Sequence, residues 1–287
     1  MLKRKIAFLL AVFIMTLPPA GTTATGQSNQ PDEILPANEL DEFMARVMKK
    51  REMDHEALRY YIFSERETLD IRGPDIAALE SFHREYDWFV RGDDIVRSPV
   101  RINGVAVSAG EQAAAEKKWL ETRKKNREKN LDRETFFGFR FKPGRYLFAG
   151  RERFEGHDVV VIEYYPGPDE NDEGKTGNRG HLFEKSFLVT MLVIPEEHQI
   201  VKLTFDNVGL EFLPGRWLFR IDDIKASLVM HKVNDEVWLP REISVYGSVS
   251  TAEMTLSINY LSEFFSYSKS DVRLEYRLER GEDRPGQ

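Results

Sequence analysis

The stretch FLVTMLVIPEEHQIVKLTF, which covers residues 187–205, decides the fold class of this chain. Two apolar runs rich in valine, leucine and isoleucine flank the turn Pro195-Glu196-Glu197-His198, which is the pattern of a β-hairpin. In the second run Val201, Leu203 and Phe205 alternate with polar residues, so one side of the strand is apolar and the other is polar. Such alternation is typical of an antiparallel sheet with one covered face.

The same alternation continues through most of the second half of the chain and part of the first. It predicts strands at residues 60–71, two or three short strands within 84–107, and further strands at 145–154, 158–165, 186–194, 200–208, 224–233, 236–250 and 255–264. At about 3.3 Å per residue the longer strands would measure roughly 25–40 Å, and a sheet of such strands has to curl. We therefore predict a mainly β fold of the α+β class, a long antiparallel curled sheet or incomplete β-barrel with helices covering its concave face.

Two segments have helical spacing instead. Between Asn38 and Arg59 apolar residues recur every three or four positions, with Asn38 as the predicted N-cap. Ser108 and Glu111 form a capping box that opens a second helix, which ends near Lys129. We predict that the first helix forms a lid over the sheet through its apolar residues Leu40, Phe43, Met44 and Val47.

Residues 1–26 have the composition of a secretory signal, with a basic start, the apolar segment 6–17 and small residues after it. About 12 apolar residues are too few to span a bilayer, which needs roughly 20, so we predict that the segment is a cleaved signal. The alternative is that the segment is not cleaved and stays as an anchor. Removal of the three cations at positions 3–5 would take the formal net charge from −7 to −10. We predict a monomer in the periplasm of a Gram-negative bacterium, without a membrane span after cleavage. A linker at 27–37, one open-barrel domain at 38–267 and a charged strand or tail at 268–287 follow the signal.

The composition argues against several classes of function. Because the chain has no cysteine, it cannot form disulfides, thiolate metal sites or a cysteine nucleophile, and it has no acylated cysteine of a lipoprotein. The 48 acidic residues outnumber the 41 basic ones, which argues against nucleic-acid binding. The six histidines have no metal-ligand spacing, and no nucleophile motif occurs. We therefore predict that the chain is not an enzyme and that it has no catalytic residue, metal or cofactor.

Three stretches together resemble the outer-membrane lipoprotein-sorting family of LolA-like periplasmic proteins. They are EGHDVVVIEYYP (155–166), the hairpin at 187–205 and NDEVWLPREISV (234–245), and the resemblance covers roughly residues 145–264. Members of that family are incomplete antiparallel barrels with helices as a lid over a hydrophobic cavity. The resemblance therefore implies that the chain binds an acyl chain or a lipidated protein. Its greater length indicates a divergent branch, and the lack of cysteine excludes the lipid-anchored acceptor of the family.

These considerations predict a periplasmic carrier for lipid or lipidated protein, with lipid acyl chains or lipoproteins as partners. The alternative is an envelope-stress sensor or interaction module that binds a protein partner through the same fold. Apolar residues of the covered sheet face are expected to line the cavity: Val160, Ile162, Tyr164, Val201, Leu203, Phe205, Ile243, Val245, Leu256, Ile258 and Tyr260.

Overall fold

The computed structural model describes residues 37–74, 76–92, 94–128, 141, 144–166, 187–207, 219–251 and 254–270. The predicted signal peptide, the linker up to residue 36 and the tail from residue 271 lie outside these ranges. Their assignments therefore stay predictions.

The described chain begins with helix α1 (Ala37–Ala57), and a 3₁₀ turn at Leu58–Tyr60 joins it to strand β1 (Tyr61–Gly73). Next come β2 (Ile76–Arg91), β3 (Asp94–Ile102), β4 (Val105–Ala106) and helix α2 (Ala109–Glu128). The remaining strands are β5 (Gly144–Phe154), β6 (His157–Pro166), β7 (Phe187–Ile194), β8 (Gln199–Asn207), β9 (Phe219–Val233), β10 (Val237–Thr251) and β11 (Thr255–Lys269).

The strands form one antiparallel sheet of 11 strands in the order β4-β3-β2-β1-β11-β10-β9-β8-β7-β6-β5. Among the described strands, every neighbouring pair but one is also consecutive along the chain. The exception is the seam between β1 and β11, where Tyr61 pairs with Lys269 and Arg72 with Ser257. Strands β4 and β5 are the two edges, so the sheet stays open. The predicted fold class, a long open antiparallel sheet with helices, is confirmed.

The predicted element bounds agree with the structure to within about two residues, except that β9 begins and β11 ends five residues beyond the predicted bound and that β2 begins eight residues earlier. That strand begins at Ile76, although its first residues, Ala77, Ala78 and Glu80 among them, are poor strand formers. Pairing with β1 holds them in place, because Ile71 pairs with Glu80 and Gly73 with Ile76. Tertiary pairing therefore overrides local propensity here.

Helix α2 covers the edge of the sheet next to β3. Its Gln112 amide donates to the carbonyl oxygen of Pro99 at 3.0 Å, and the Trp119 indole N–H donates to that of Ile95 at 2.9 Å. The predicted capping box is confirmed, since Glu111 accepts hydrogen bonds from the Ser108 main chain and hydroxyl at 3.0 and 2.6 Å. The helix thus binds carbonyl groups that an exposed edge would offer to another strand.

The two faces of the sheet differ, but not as simply as the alternation predicts. One face carries α1 and the largest apolar cluster, which contains residues from β6 to β9. On the opposite face of β6 and β7, Val159, Leu192 and Ile194 are also buried, in a second cluster with Trp238. The prediction of one polar face is therefore wrong over these strands, where both faces are apolar.

Candidate functional site

The predicted lid residues of α1 lie on the apolar sheet face. Leu40, Met44 and Val47 recur at helical spacing and are almost completely buried, and Phe43 packs beside them. The sheet side of this cluster includes five of the residues predicted to line a cavity: Val160, Ile162, Tyr164, Leu203 and Phe205.

Five other predicted lining residues lie farther along the same face. Leu256 and Ile258 belong to a separate buried cluster with Leu69 of β1, and Tyr260 packs against it. Ile243 packs against both the α1 cluster and a third cluster around Phe63. Val245 is half-buried and pairs with Tyr260 across the β10–β11 ladder.

Val201 lies on the opposite face, in the cluster that contains Trp238. The cause is a β-bulge, because Leu192 pairs with Lys202 whereas Val193 pairs with Ile200. Val201 is the extra residue, and one extra residue reverses the order of faces along a strand. The structure therefore does not bring Val201 together with the other predicted residues.

A small cavity lies under the C-terminal half of α1. Asp54 and Leu58 line it from the helix side, and Gln199, Leu203 and Met230 from the sheet side. Its volume is about 50 Å³, whereas ligand cavities typically measure roughly 300–1,000 Å³. Helix α1 therefore lies close against the sheet, and this cavity is too small to hold a lipid chain.

The β7–β8 turn is the polar anchor of α1. Arg46 donates from Nε to Nε2 of His198 at 3.0 Å, and the Phe43 and His198 rings lie 5.3 Å apart between centroids. Glu197 fixes the turn itself, since its carboxylate accepts hydrogen bonds from Lys232 and from the Trp238 indole, both at 2.9 Å. Sequence reasoning recognised this turn as a hairpin signal but missed its contact with the helix.

Asp54 is the buried charge at this helix–sheet contact. It is 4% exposed and forms an ion pair with Lys50, one helical turn earlier. Burial raises the pKa of Asp54, although Lys50 acts in the opposite direction. The closed structure therefore disfavours the charged form of this carboxyl group.

Replacement of Asp54 by Asn is expected to stabilise the protein at neutral pH. Because the pKa is raised in the folded chain, Asp54 favours folding below its ordinary pKa of 3.8, and this contribution is lost as the pH rises through the raised value. At pH 7 we expect Asp54→Asn to raise the free energy of unfolding by roughly 1 kcal/mol. Urea unfolding followed by tryptophan fluorescence between pH 4 and 8 measures this change.

The matched control is Asp70→Asn, because Arg72 holds the pKa of the half-buried Asp70 below its usual range. Its removal should act in the opposite direction at neutral pH. If the free energy of unfolding depended on pH in the same way for wild type and Asp54→Asn, the charged form of Asp54 would not destabilise the folded protein, and the prediction would be wrong.

A buried polar network occupies the same face of the sheet near the seam. Glu65 accepts two hydrogen bonds from Arg97 at 2.7 Å each, one from the Trp88 indole at 2.7 Å and one from Ser262 at 2.8 Å. Neighbouring Glu67 accepts from Tyr260 at 3.1 Å and from Tyr86 at 3.3 Å. Both glutamates are at least nine-tenths buried.

Electrostatics bind this network tightly together. Burial alone would lower the pKa of Arg97, but the charges of Glu65 and Glu67 raise it overall. Burial also raises the pKa of Tyr260, whose hydroxyl therefore stays protonated as a donor to Glu67. All four carboxylate oxygens of the two glutamates accept hydrogen bonds. The arrangement thus fixes four strands, β1, β2, β3 and β11, and leaves no carboxylate oxygen without a donor.

Among the described residues, neither a metal-binding cluster nor a membrane-spanning helix occurs. No group of three or more histidine, aspartate or glutamate side chains comes together in a way that could hold a metal ion. In the same residues, neither helix has the length and apolar character needed to cross a membrane.

No protein-family model matches the chain, and no curated protein is significantly similar to it. Solved structures do match it. One is a domain described as an outer membrane lipoprotein-sorting domain from Vibrio parahaemolyticus, 11% identical, with a TM-score of 0.34 over 79% of this chain and 92% of that one. Another is a DUF1329 family protein from Desulfovibrio piger, 10% identical, with a TM-score of 0.35 over 80% and 93%.

A third is a LolA superfamily protein from Nitrosomonas europaea, 12% identical, with a TM-score of 0.32 over 80% of this chain and 94% of that one. The matches thus include the LolA-like and lipoprotein-sorting proteins that the sequence was predicted to resemble.

Proposed function

We propose that the chain is a periplasmic binding protein that carries an acyl chain, of a lipid or a lipidated protein, between α1 and the apolar sheet face. The observation that carries this proposal is the packing of one helix, through Leu40, Met44 and Val47, on a continuous apolar surface from β6 to β9. The buried glutamates Glu65 and Glu67 of this face are engaged in structural hydrogen bonds.

The energetics of exchange support a helix that moves. Each of the three buried α1 side chains contributes roughly 1.5–3 kcal/mol by leaving water. An acyl chain of about fifteen methylenes could gain on the order of 10 kcal/mol on the same surface. A ligand could therefore replace the contacts of α1 with contacts of the same kind, and release would follow when the helix returns.

Mass spectrometry of ligands retained after native purification tests this proposal. We expect stoichiometric acyl chains in the wild type, and at least a tenfold loss in Met44→Asp, because a charge at this buried position opposes an apolar ligand. The matched control is Met53→Asp on the same helix, where the side chain is 56% exposed. This control should retain ligand as the wild type does.

A folded Met44→Asp variant that keeps its ligand would contradict the site. A wild-type protein that stays empty after incubation with lipid would contradict the carrier role itself. Circular dichroism establishes that each variant is folded.

The second candidate is an interaction module that binds a protein partner through the same face. The observation in its favour is the cavity volume of about 50 Å³, which leaves no room for a ligand while α1 is closed. An empty cavity together with a specific protein partner would favour this candidate over the carrier.

A further inference from the structure

The cavity below α1 is lined by two buried groups that each have an unpaired hydrogen-bond acceptor. Asp54 pairs with Lys50 through Oδ1, whereas Oδ2 has no hydrogen-bond partner. Gln199, which is 2% exposed, donates from Nε2 to the Ile200 carbonyl oxygen at 2.8 Å, whereas Oε1 has no partner. The Gln199 side chain and the Trp238 main chain also act on the Asp54 carboxyl group as hydrogen-bond donors and lower its pKa, but neither reaches Oδ2 within hydrogen-bond distance. Buried acceptors in native proteins are nearly always satisfied, so two of them at one cavity require an explanation.

The position of the two acceptors suggests what they are for. Asp54 follows Met44 by ten residues, which places it about 15 Å farther along α1. Between them the helix and the sheet offer apolar side chains, with Leu203 and Leu228 at the cavity wall. The surface covered by α1 is thus apolar along most of its length and polar at one end, which is the chemical profile of an amphiphile.

We propose that Asp54 and Gln199 bind the polar head of an acylated ligand by accepting hydrogen bonds from an amide N–H or a hydroxyl group. This inference rests on the proposed function, because the ligand enters only when the N-terminal part of α1, with Leu40, Met44 and Val47, moves off the sheet while Asp54 stays beside Gln199. A ligand head group that has no hydrogen-bond donor would leave the Asp54 and Gln199 oxygens unpaired in the complex. A carboxylate head would bring a second negative charge next to Asp54.

Two basic side chains of α1 also line the cavity. They favour a different ligand, one with an anionic head group. Arg51, whose guanidinium lies 5.2 Å from the centre of the Phe141 ring, and His55 would both attract an anionic head. A carboxylate therefore has to be among the compounds tested. Lys50 faces Asp54 from the helix side and is already engaged in the ion pair.

Displacement of the apolar dye N-phenyl-1-naphthylamine from the purified protein separates these ligands. The competitors are dodecan-1-ol, its methyl ether and dodecanoate, which share one apolar chain and differ in the head. We expect the alcohol to displace the dye at a concentration about tenfold lower than the ether, because only the alcohol donates a hydrogen bond. Dodecanoate should be no better than the ether.

Variants of the two acceptors test their roles. Gln199→Met removes one acceptor at similar volume, and Asp54→Leu removes the other. In both, the alcohol-to-ether ratio should fall to about two or less while the dye still binds. The control is Gln112→Met in α2, at the far edge of the sheet, which should keep the wild-type ratio.

The outcomes distinguish the head-group site from the proposed function. Dye binding with equal displacement by alcohol and ether, or strongest displacement by dodecanoate, overturns the head-group site and leaves the apolar carrier intact. Unchanged ratios in both acceptor variants also overturn it. Failure of the folded wild type to bind the dye overturns the proposed function, and the head-group site falls with it.

Discussion

Replacement of Arg97 by Met is expected to lower the free energy of unfolding by about 3–5 kcal/mol. Arg97 donates two hydrogen bonds to Glu65 and lies 3.5 Å from Glu67, and both carboxylates are buried. Methionine fills similar space but leaves two negative charges in the sheet face without their cation. Urea unfolding at neutral pH, followed by tryptophan fluorescence, measures this loss.

The matched control for this prediction is Arg101→Met. Arg101 lies on the same strand and 3.7 Å from Glu85, but its side chain is 56% exposed. Exposed ion pairs contribute at most about 1 kcal/mol, so this variant should differ little from the wild type. Similar losses of unfolding free energy in both variants would show that burial does not increase the contribution of Arg97 to stability. The double variant Arg97→Met with Glu65→Gln should recover part of the loss, because one uncompensated charge is gone.

A reversible crosslink between α1 and the β7–β8 turn is expected to slow ligand exchange by at least about a hundredfold, since the apolar face is reached by moving the helix. The positions are Phe43→Cys and His198→Cys, whose native rings lie 5.3 Å apart between centroids. Because the chain contains no cysteine, a short bis-methanethiosulfonate reagent, which forms a disulfide with each thiol and releases methanesulfinate, would join these two positions alone. Release of N-phenyl-1-naphthylamine, followed by stopped-flow fluorescence, gives the exchange rate.

The control is a second crosslink, made with the same reagent between two positions on the exposed side of α1. Ala45→Cys and Lys49→Cys lie one turn apart on α1, so their crosslink modifies the helix without tying it to the sheet. This variant should exchange dye at the wild-type rate, and reduction of the first variant should restore that rate. Unchanged exchange in the fully crosslinked first variant would mean that the ligand enters without movement of α1.

Alternation and helical spacing predict the strands, both helices and the contact between α1 and the sheet, because each of these depends on local periodicity. They fail at Val201, since Ile200 and Val201 are both apolar and no local pattern shows which of them is the extra residue of the bulge. The position of the cavity under the C-terminal half of α1 depends on long-range packing, and the spacing of apolar residues in the helix does not determine it.

The buried network could have been found in part. In β1 the buried apolar positions Phe63, Leu69 and Ile71 are all odd-numbered, so period two places Glu65 and Glu67 on the same covered face. The sequence signal was two acidic residues at buried positions of a strand. Their cation was not predictable, because Arg97 is 32 positions away from Glu65 and comes from a strand two places across the sheet.

The seam between β1 and β11 has a consequence for the order of folding. All other neighbouring strands of the described sheet are consecutive along the chain, whereas the seam joins residues such as Glu65 and Ser262, which are 197 positions apart. Contacts so distant along the chain form slowly, so we expect two meanders to fold first and to meet at the seam last. A slip by one residue at that moment would turn Glu65 and Glu67 away from their donors. The network would then stabilise only the native register of the seam. A seam paired in a wrong register would separate again before folding is complete.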